Sequence, residues 1–168
     1  YFSHNYIKRH MDEDYCHILK LYLQHYKTYK QQYGEKTIIL MQVGSFYEIY
    51  SIKQEGSMNI TWIGPNLQEI SELLQIHIGT KKSKNHNFQM VGVPDHASEK
   101  YTHILLNHNY TLVIVDQITS PPNVERAVTE IKSHGTVIET YQKSDTNYLG
   151  YIYIQEYPRK NNSIRYCI

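Results

Sequence analysis

Segments with helical periodicity and segments typical of β-strands follow one another in a regular order along the first 140 residues. Three stretches carry apolar residues at helical spacing, and each is followed by two short runs rich in β-branched and aromatic residues. The predicted helices are 12–34, 65–74 and 95–109, and the predicted strands are 37–43, 46–50, 75–80, 88–93, 110–117 and 124–132. This order predicts an α/β fold of the α+β type, in which about three helices flank a mixed β-sheet.

The first helical segment has the clearest periodicity. Its large apolar residues recur at spacings of three and four, so they share one helix face, and we predict that this face belongs to the core. The residues of the face are Tyr15, Leu19, Tyr22, Tyr26, Tyr29 and Tyr33. Gly34 suits the position just after the helix end. Asn66 and Glu69 have the spacing of a capping box at the second helix, and Asp95 can cap the third.

The overall charge of the chain is close to neutral. Its 17 Lys and Arg residues against 16 Asp and Glu residues give a formal charge of +1. Bulk charge therefore does not indicate a nucleic-acid-binding protein, and any contact with DNA must come from local basic clusters. The compact basic run is Lys81, Lys82 and Lys84.

Hydropathy and cysteine content predict a soluble protein of a reducing compartment. The mean hydropathy is −0.56, and no stretch approaches the roughly 20 apolar residues of a membrane span. The chain has two cysteines, Cys16 and Cys167. We expect them to be reduced in an intracellular protein without membrane partners. The sequence favours no compartment among nucleus, organelle, viral factory and cytoplasm.

The polar segment 141–147 resembles a linker, and it predicts a domain boundary between residues 140 and 141. Residues 148–157 and 163–168 have the composition of two strands joined by a polar loop. We therefore predict one domain at 1–140, followed at 141–168 by a linker and the start of a second, incomplete domain.

Residue spacing argues against catalysis by this chain. Ten histidines suggest a metal site, but none of them has the spacing of a zinc-binding motif. The sequence also lacks a nucleophile motif and a Gly-x-x-x-x-Gly-Lys-Ser/Thr phosphate loop. We expect no catalytic residue, no metal ligand and no cofactor within these residues.

The most informative segment surrounds Gly44-Ser45, which interrupts two strand-like runs. Phe46 and Glu48 follow this turn and are two residues apart, so a strand directs both side chains to the same face. An exposed phenylalanine beside an exposed glutamate would be unusual on a surface that only confers solubility. The alternative is that Phe46 belongs to the core and that Glu48 is a charge on a strand edge.

Several segments resemble motifs of the MutS family and follow in the family's order. Gly44-Ser45-Phe46-Tyr47-Glu48 resembles the family's Gly-Asp-Phe-Tyr-Glu. The other similar segments are Gly79-Thr80-Lys81-Lys82, Met90-Val91-Gly92-Val93-Pro94-Asp95-His96-Ala97, Asp116-Gln117-Ile118, Val124-Glu125-Arg126-Ala127-Val128, Gly135-Thr136 and Asn147-Tyr148-Leu149. The resemblance covers roughly residues 12–168. It implies an N-terminal mismatch-recognition domain, followed by the first strands of a ribonuclease-H-like connector domain.

The resemblance also implies roles for individual residues. Phe46 corresponds to the family's aromatic wedge, which enters the minor groove at a mismatch and kinks the duplex. Glu48 corresponds to the glutamate that faces the mispaired base. The lysines Lys81, Lys82 and Lys84 are expected to contact phosphates. The residues expected to shape the backbone at turns are Gly44, Gly92 and Pro94. Gln117 and Arg126 match family motifs, but the sequence assigns them no role.

For the whole protein, the resemblance implies a DNA mismatch repair ATPase whose nucleotide site, with ATP and Mg²⁺, lies outside these residues. Its expected partners are double-stranded DNA with mismatches or small loops, a second subunit bound through other domains, and downstream repair proteins. Three alternatives remain: a relative that acts on branched or recombination DNA, a protein-interaction module anchored by Phe46, and a small nuclease. The segment 148–168 has a single carboxylate, Glu156, which argues against a paired metal site of a nuclease.

Overall fold

In a computed structural model of the chain, the described residues are 2–54, 61–83, 86–136, 153–155 and 165–167. The chain divides into two compact units, Tyr1–His134 and Gly135–Ile168. Within the described residues, no helix is both long and apolar enough to cross a membrane.

The described part of the first unit contains three helices and seven strands. The elements are α1 (Phe2–Tyr33), β1 (Thr37–Val43), β2 (Phe46–Gln54), β3 (Thr61–Ile63), α2 (Leu67–Leu74), β4 (Gly79–Ser83), β5 (His86–Pro94), α3 (Ser98–Asn107), β6 (Thr111–Gln117) and β7 (Arg126–Lys132). A single 3-10 turn, Asp95–Ala97, precedes α3. The predicted α/β class, with helices on a mixed sheet, is confirmed.

The seven strands form one sheet in the order β4-β5-β2-β1-β6-β7, and β3 pairs with β2 beside this path. The pairing of β1 with β6 is parallel, whereas the other pairings in this sheet are antiparallel. A parallel pair needs a crossover connection, and here the connecting chain includes both α2 and α3. The carboxyl ends of β1 and β6 therefore meet at one end of the sheet.

The strands around residues 56–64 and 75–83 differ from the sequence-based expectation. Residues 56–64 lie outside the predicted helices and strands, but Thr61–Ile63 pair with the end of β2. The strand expected at 75–80 begins only at Gly79, because Gln75 adopts a left-handed conformation (φ +56°) that ends α2. The basic stretch after residue 80 continues this strand and pairs with β5 through Lys81, Lys82 and Ser83.

The tyrosine-rich face of α1 packs on one face of the sheet. Leu19, Tyr22 and Tyr26 are buried there, as predicted, whereas Tyr33 at the helix end is exposed. Tyr22 contacts the ring of Tyr50 in β2 edge to face, at a centroid distance of 5.0 Å. The sheet residues in this core are Ile39, Met41, Tyr50, Ile52, Phe88, Val113 and Val115. The helix begins earlier than the predicted residue 12 and ends as predicted at Gly34, whose N–H donates to the carbonyl of Lys30 at 2.8 Å.

The alternate residues of the same strands form the core on the opposite face, where α2 and α3 contact the sheet. The buried residues of this face include Ile38, Leu40, Ile49, Val91, Val93, Leu112 and Ile114, with Leu67, Ile70, Leu74 and Leu105 from the helices. The predicted cap at α2 is confirmed, since the Asn66 side chain accepts a hydrogen bond from the Glu69 N–H at 3.4 Å. The predicted cap at α3 is wrong, because Asp95 begins the 3-10 turn and no side chain caps α3.

The described part of the second unit is a pair of antiparallel strands, β8 (Tyr153–Gln155) and β9 (Arg165–Cys167). Both strands fall inside the segments predicted to be strands. The predicted boundary between residues 140 and 141 and the ribonuclease-H-like character of the following segment stay predictions, because residues 137–152 lie outside the described residues.

Candidate nucleic-acid interface

The candidate site is built on the tight hairpin that joins β1 to β2. Val43 pairs with Phe46 across a two-residue loop. The first residue of this loop, Gly44, has a φ of +60°, a conformation that favours glycine and that is found at this position in type II′ hairpin turns. The carbonyl of Ser45 accepts a hydrogen bond from the Asp95 N–H at 2.9 Å. The turn is therefore attached to the end of β5 as well as to its own strands.

Phe46 and Glu48 lie on the same face of β2, as predicted. They pair with Pro94 and Gly92 of β5. A Cβ atom placed on Gly92 would be 3.9 Å from both Phe46 Cδ1 and Glu48 Cγ. The Phe46 side chain is 46% exposed, so the alternative that it belongs to the core is wrong.

Glu48 is buried, contrary to the expectation of an exposed pair, and it is only 6% exposed. It lies one pleat further from the turn than Phe46, between Met41 of β1 and Gly92 of β5. The hydroxyl of Tyr50 donates a hydrogen bond to Glu48 Oε2. The carboxyl group is therefore held inside the protein by a side chain that follows two residues later on the same strand.

Burial raises the pKa of Glu48, because the charged form loses hydration. The hydrogen bond from Tyr50 and the positive charges of Lys81 and Arg126 act in the opposite direction, but burial is the larger effect. The folded protein therefore binds a proton at Glu48 more tightly than the unfolded chain does. Protonation of this carboxyl group is coupled to folding.

We predict that Glu48→Gln changes how stability depends on pH. Because the folded-state pKa is raised, the contribution of Glu48 to the stability of wild type is fully present below the unfolded pKa, about 4.3. This contribution is lost as pH rises through the folded pKa. Each unit of pKa elevation corresponds to about 1.4 kcal/mol. The measurement is urea unfolding of wild type and Glu48→Gln between pH 4 and 8. The free energy of unfolding of the variant should rise relative to that of wild type as pH rises. A difference in the free energy of unfolding that stays constant with pH would contradict this. Glu99→Gln, at an exposed position of α3, is the matched control.

A second group of polar contacts connects the hairpin to the end of β6 and the start of β7. The N–H of Gln117 donates to Gln42 Oε1 at 2.8 Å, and Arg126 Nε donates to the carbonyl of Gln42 at 2.9 Å. With the Gln117 amide oriented so that its oxygen faces the donors, this oxygen accepts from Arg126 Nη2 at 2.8 Å and from the Gly44 N–H at 3.2 Å. These four residues, Gln42, Gly44, Gln117 and Arg126, form a hairpin brace.

Tyr47 of β2 is also attached to β6 and β7. The hydroxyl of Tyr47 donates to Asp116 Oδ1 at 2.6 Å, and the hydroxyl of Thr129 donates to Asp116 Oδ2 at 2.5 Å. Burial and the hydrogen bond to Asp116 raise the pKa of Tyr47, so its phenol group stays protonated and remains a donor. Hydrogen bonds thus hold Tyr47 and Glu48 on opposite faces of β2.

The predicted basic run lies on the edge strand β4. Lys81 is exposed and pairs with Phe88 of β5, and it is close enough to Glu48 to lower the pKa of that carboxyl group. Lys82 belongs to the same strand. Lys84 lies outside the described residues.

The three residues expected at turns have different positions. Gly44 is in the hairpin turn, and Pro94 ends β5 just before the 3-10 turn. Gly92 is inside β5, opposite Glu48, and not in a turn. Its missing side chain leaves open the space between Phe46 and Glu48.

Sequence reasoning missed several residues of the site. Tyr50 was read only as part of a strand, and Gln42 was not singled out. Period-two alternation places Tyr50 on the face of Glu48, which is a usable signal. The contact of Gln42 with Arg126 spans 84 residues, and no local pattern predicts it. Among the described residues, no group of three or more His, Cys, Asp or Glu side chains could hold a metal ion.

Comparison with known proteins supports the resemblance to the MutS family. Residues 61–141 match the family MutS domain I. A putative DNA mismatch repair protein mutS homolog of Acanthamoeba polyphaga mimivirus is 31% identical over 139 residues, which is 83% of this chain and 12% of the relative. The DNA mismatch repair proteins MutS of Prochlorococcus marinus and Lactococcus lactis are 30% and 28% identical, over 83% and 76% of this chain.

The chain spans only 12% to 15% of the length of these three relatives. The segment matched to MutS domain I begins at β3 and includes the strands β4 to β7, whereas the similarity to whole relatives covers more of the chain. The chain therefore belongs to the MutS family, and it carries that family's domain I.

Proposed function

We propose that this chain is the mismatched-DNA-binding module of a DNA mismatch repair protein and that Phe46 is its wedge. The observation that carries the proposal is an exposed aromatic ring at the end of a tight hairpin whose backbone is held by the neighbouring strands. Membership of the MutS family supports it. Phe46 inserts from the minor groove and stacks on a base at the lesion.

Such a wedge selects deformable DNA and not a particular sequence. Insertion of an apolar side chain partly unstacks a base step and kinks the duplex by about 20–90°, at a cost of about a few kcal/mol per step. A mispaired base is already poorly held, so the same distortion costs less there. A rigid hairpin suits this function, because no binding energy is spent on ordering the wedge.

Glu48 acts close to the wedge in this proposal. Its carboxyl group is buried before DNA binds, and burial raises its pKa. The negative field of DNA favours the protonated form further. A protonated carboxyl group can donate a hydrogen bond to a mispaired base, whereas the charged form repels correctly paired DNA. Glu48 therefore contributes to discrimination more than to affinity.

Lys81 and Lys82 contact phosphates beside the wedge, and Lys84 extends the same basic run. We predict that the double variant Lys81→Ala and Lys82→Ala weakens binding to matched and mismatched DNA alike. Each lost phosphate contact lowers the slope of log Kd against log salt by about 0.9, so two contacts lower it by about 1.8. Lys100→Ala, on α3 at the opposite face, should leave the slope unchanged. An unaltered slope in the double variant would exclude the phosphate contacts.

The direct test of function compares three DNA substrates of equal length: a matched duplex, a duplex with one mismatch, and a four-way junction. We expect the full-length protein to bind the mismatched duplex more tightly than the matched one at a single salt concentration. A stronger preference for the junction would indicate a MutS relative that acts on recombination DNA. Equal and weak binding to all three would favour a protein-interaction module.

The remaining activities belong to the full-length protein and are also proposed. It is an ATPase whose nucleotide site, with ATP and Mg²⁺, lies outside these residues, so this chain contributes binding and no catalysis. It forms a homodimer or a heterodimer through other domains and passes the signal to downstream repair proteins. Because few phosphate contacts are available to this chain alone, we expect it to bind DNA more weakly than the full-length protein does.

A further inference from the structure

We propose that Arg126 and Gln117 are positioning residues of the mismatch site, which act through the hairpin brace. The proposal rests on the proposed function of Phe46 and adds residues that do not touch the lesion. Their hydrogen bonds hold the Gly44-Ser45 turn in one position relative to β6 and β7. The brace therefore determines the angle at which the Phe46 ring enters the duplex.

The contacts of the brace converge on the chain just before Phe46. Arg126 reaches the carbonyl of Gln42 through Nε, at 2.9 Å, and the Gln117 amide oxygen through Nη2, at 2.8 Å. The same amide oxygen accepts from the N–H of Gly44 at 3.2 Å. The Arg126 side chain thus uses two N–H groups of its planar guanidinium group at once, Nε–H and Nη2–H, an arrangement that the single ammonium group of lysine cannot reproduce.

The brace connects segments that are distant in sequence and adjacent in space. β1 and β6 run parallel, so their carboxyl ends lie side by side next to the turn. Gln117 is the last residue of β6 and Arg126 is the first residue of β7, and the two residues are paired. A two-residue hairpin loop alone leaves the turn free to bend away from the sheet. Hydrogen bonds from a neighbouring pair of strands remove that freedom.

A fixed wedge matters more for discrimination than for affinity. A functional side chain needs to be held within about 0.5 Å of its productive position by the residues that support it. If the turn becomes looser, Phe46 pays an ordering cost on insertion, which only the mismatched complex incurs. Contacts with phosphates on matched DNA do not depend on the wedge. The affinity for matched DNA should therefore remain nearly constant when the brace is weakened.

The test uses the full-length protein and three substitutions that separate the brace from charge. Arg126→Lys keeps the positive charge and removes the planar donor group. Gln117→Met keeps the size of the side chain and removes the acceptor. Gln117→Glu keeps an acceptor for both donors and is the rescue variant. Phe46→Ala is the reference for loss of the wedge, and thermal unfolding establishes that each variant is folded.

The first readout is the ratio of the Kd for matched DNA to the Kd for mismatched DNA at one salt concentration. We expect Arg126→Lys and Gln117→Met to lower this ratio about threefold to tenfold, the effect of one or two hydrogen bonds. The Kd for matched DNA should change less than about twofold, since charge is kept or unaffected. Gln117→Glu should keep the ratio and weaken binding to both duplexes equally, because of its negative charge.

The second readout needs no DNA. Hydrogen exchange of the peptide that contains Gly44 should be faster in Gln117→Met and unchanged in Gln117→Glu, because only the first loses the acceptor for the Gly44 N–H. If exchange changes but the ratio does not, the brace exists and has no role in recognition, which overturns the inference.

The variants also distinguish this inference from the proposed function. If Phe46→Ala abolishes the preference for mismatched DNA while Arg126→Lys and Gln117→Met retain it, the wedge stands and the positioning role is excluded. If Phe46→Ala retains the preference, the wedge and its brace are both wrong. If Arg126→Lys keeps the ratio whereas Arg126→Ala weakens both duplexes and lowers the salt slope by about 0.9, Arg126 contacts a phosphate instead.

Discussion

Phe46→Ala should abolish most of the preference for mismatched over matched DNA. Stacking of an aromatic side chain on a base contributes about 1–3 kcal/mol, so the ratio of the two affinities should fall about 5- to 150-fold. The loss should appear mainly in binding to the mismatched duplex, because the wedge inserts only there. Competition binding of the full-length protein at one salt concentration measures both affinities.

The exposure of Phe46 makes this variant informative. The ring is 46% exposed and lies at the turn, so its removal leaves a smaller cavity than removal of a core residue does. Phe46→Trp keeps a stacking surface and should retain the preference. Tyr33→Ala is the matched control, since Tyr33 is also exposed (45%) but is the last residue of α1 and not part of the hairpin. Equal discrimination by wild type and Phe46→Ala would rule out the wedge.

Gly64→Ala should strongly destabilise the domain. Gly64 has a φ of +151°, which a residue with a side chain rarely adopts. A Cβ atom at this position would lie 2.5 Å from the carbonyl oxygen of Tyr50 and 2.7 Å from Ser51 Cα. Both are backbone atoms of the central strand β2, so neither can move aside without breaking the sheet. Backbone strain of about 1–3 kcal/mol and overpacking of a similar size should together lower the midpoint of thermal unfolding by about 10 °C or more.

Two other glycines provide the controls for this prediction. Gly44 has a φ of +60°, but nothing lies within 4 Å of a Cβ placed there. Gly44→Ala should therefore cost only the backbone strain, about 1–2 kcal/mol. At Gly79 a Cβ would meet the flexible side chain of Met90 at 3.5 Å, which is ordinary contact. If Gly64→Ala, Gly44→Ala and Gly79→Ala all unfold at similar temperatures, the close packing of Gly64 against β2 is not what makes glycine necessary there.

Local pattern in the sequence was enough to predict most of the elements, whereas the candidate site residues came from the resemblance to the MutS family. The spacing of Tyr22 and Tyr26 identified the core face of α1, and Gly34 identified its end. Gly44-Ser45 identified the turn between two strand-like runs, and period-two alternation placed Phe46 and Glu48 on a common face. Such features depend on residues close together in the chain, whose backbone geometry is nearly the same in any fold.

Pairing between distant segments could not be predicted in this way. The parallel contact of β1 with β6 joins residues 74 positions apart, as in Thr37 and Thr111. The same applies to β4, whose polar sequence resembles a loop and becomes a strand because β5 offers it free backbone groups. Backbone hydrogen bonds to β5 compensate for the weak preference of the β4 residues for a strand conformation, and they form only once β5 is in place.

The sequence by itself determined most of the elements, the family and the placement of Phe46 and Glu48 on one face after the turn. The tertiary structure alone decided that Phe46 is exposed while Glu48 is buried, because exposure depends on which strands and helices cover each position. It also decided that Arg126 and Gln117 meet the hairpin. Hydrogen bonds between residues 75 or more positions apart exist only after the sheet has assembled, and local sequence carries no record of them.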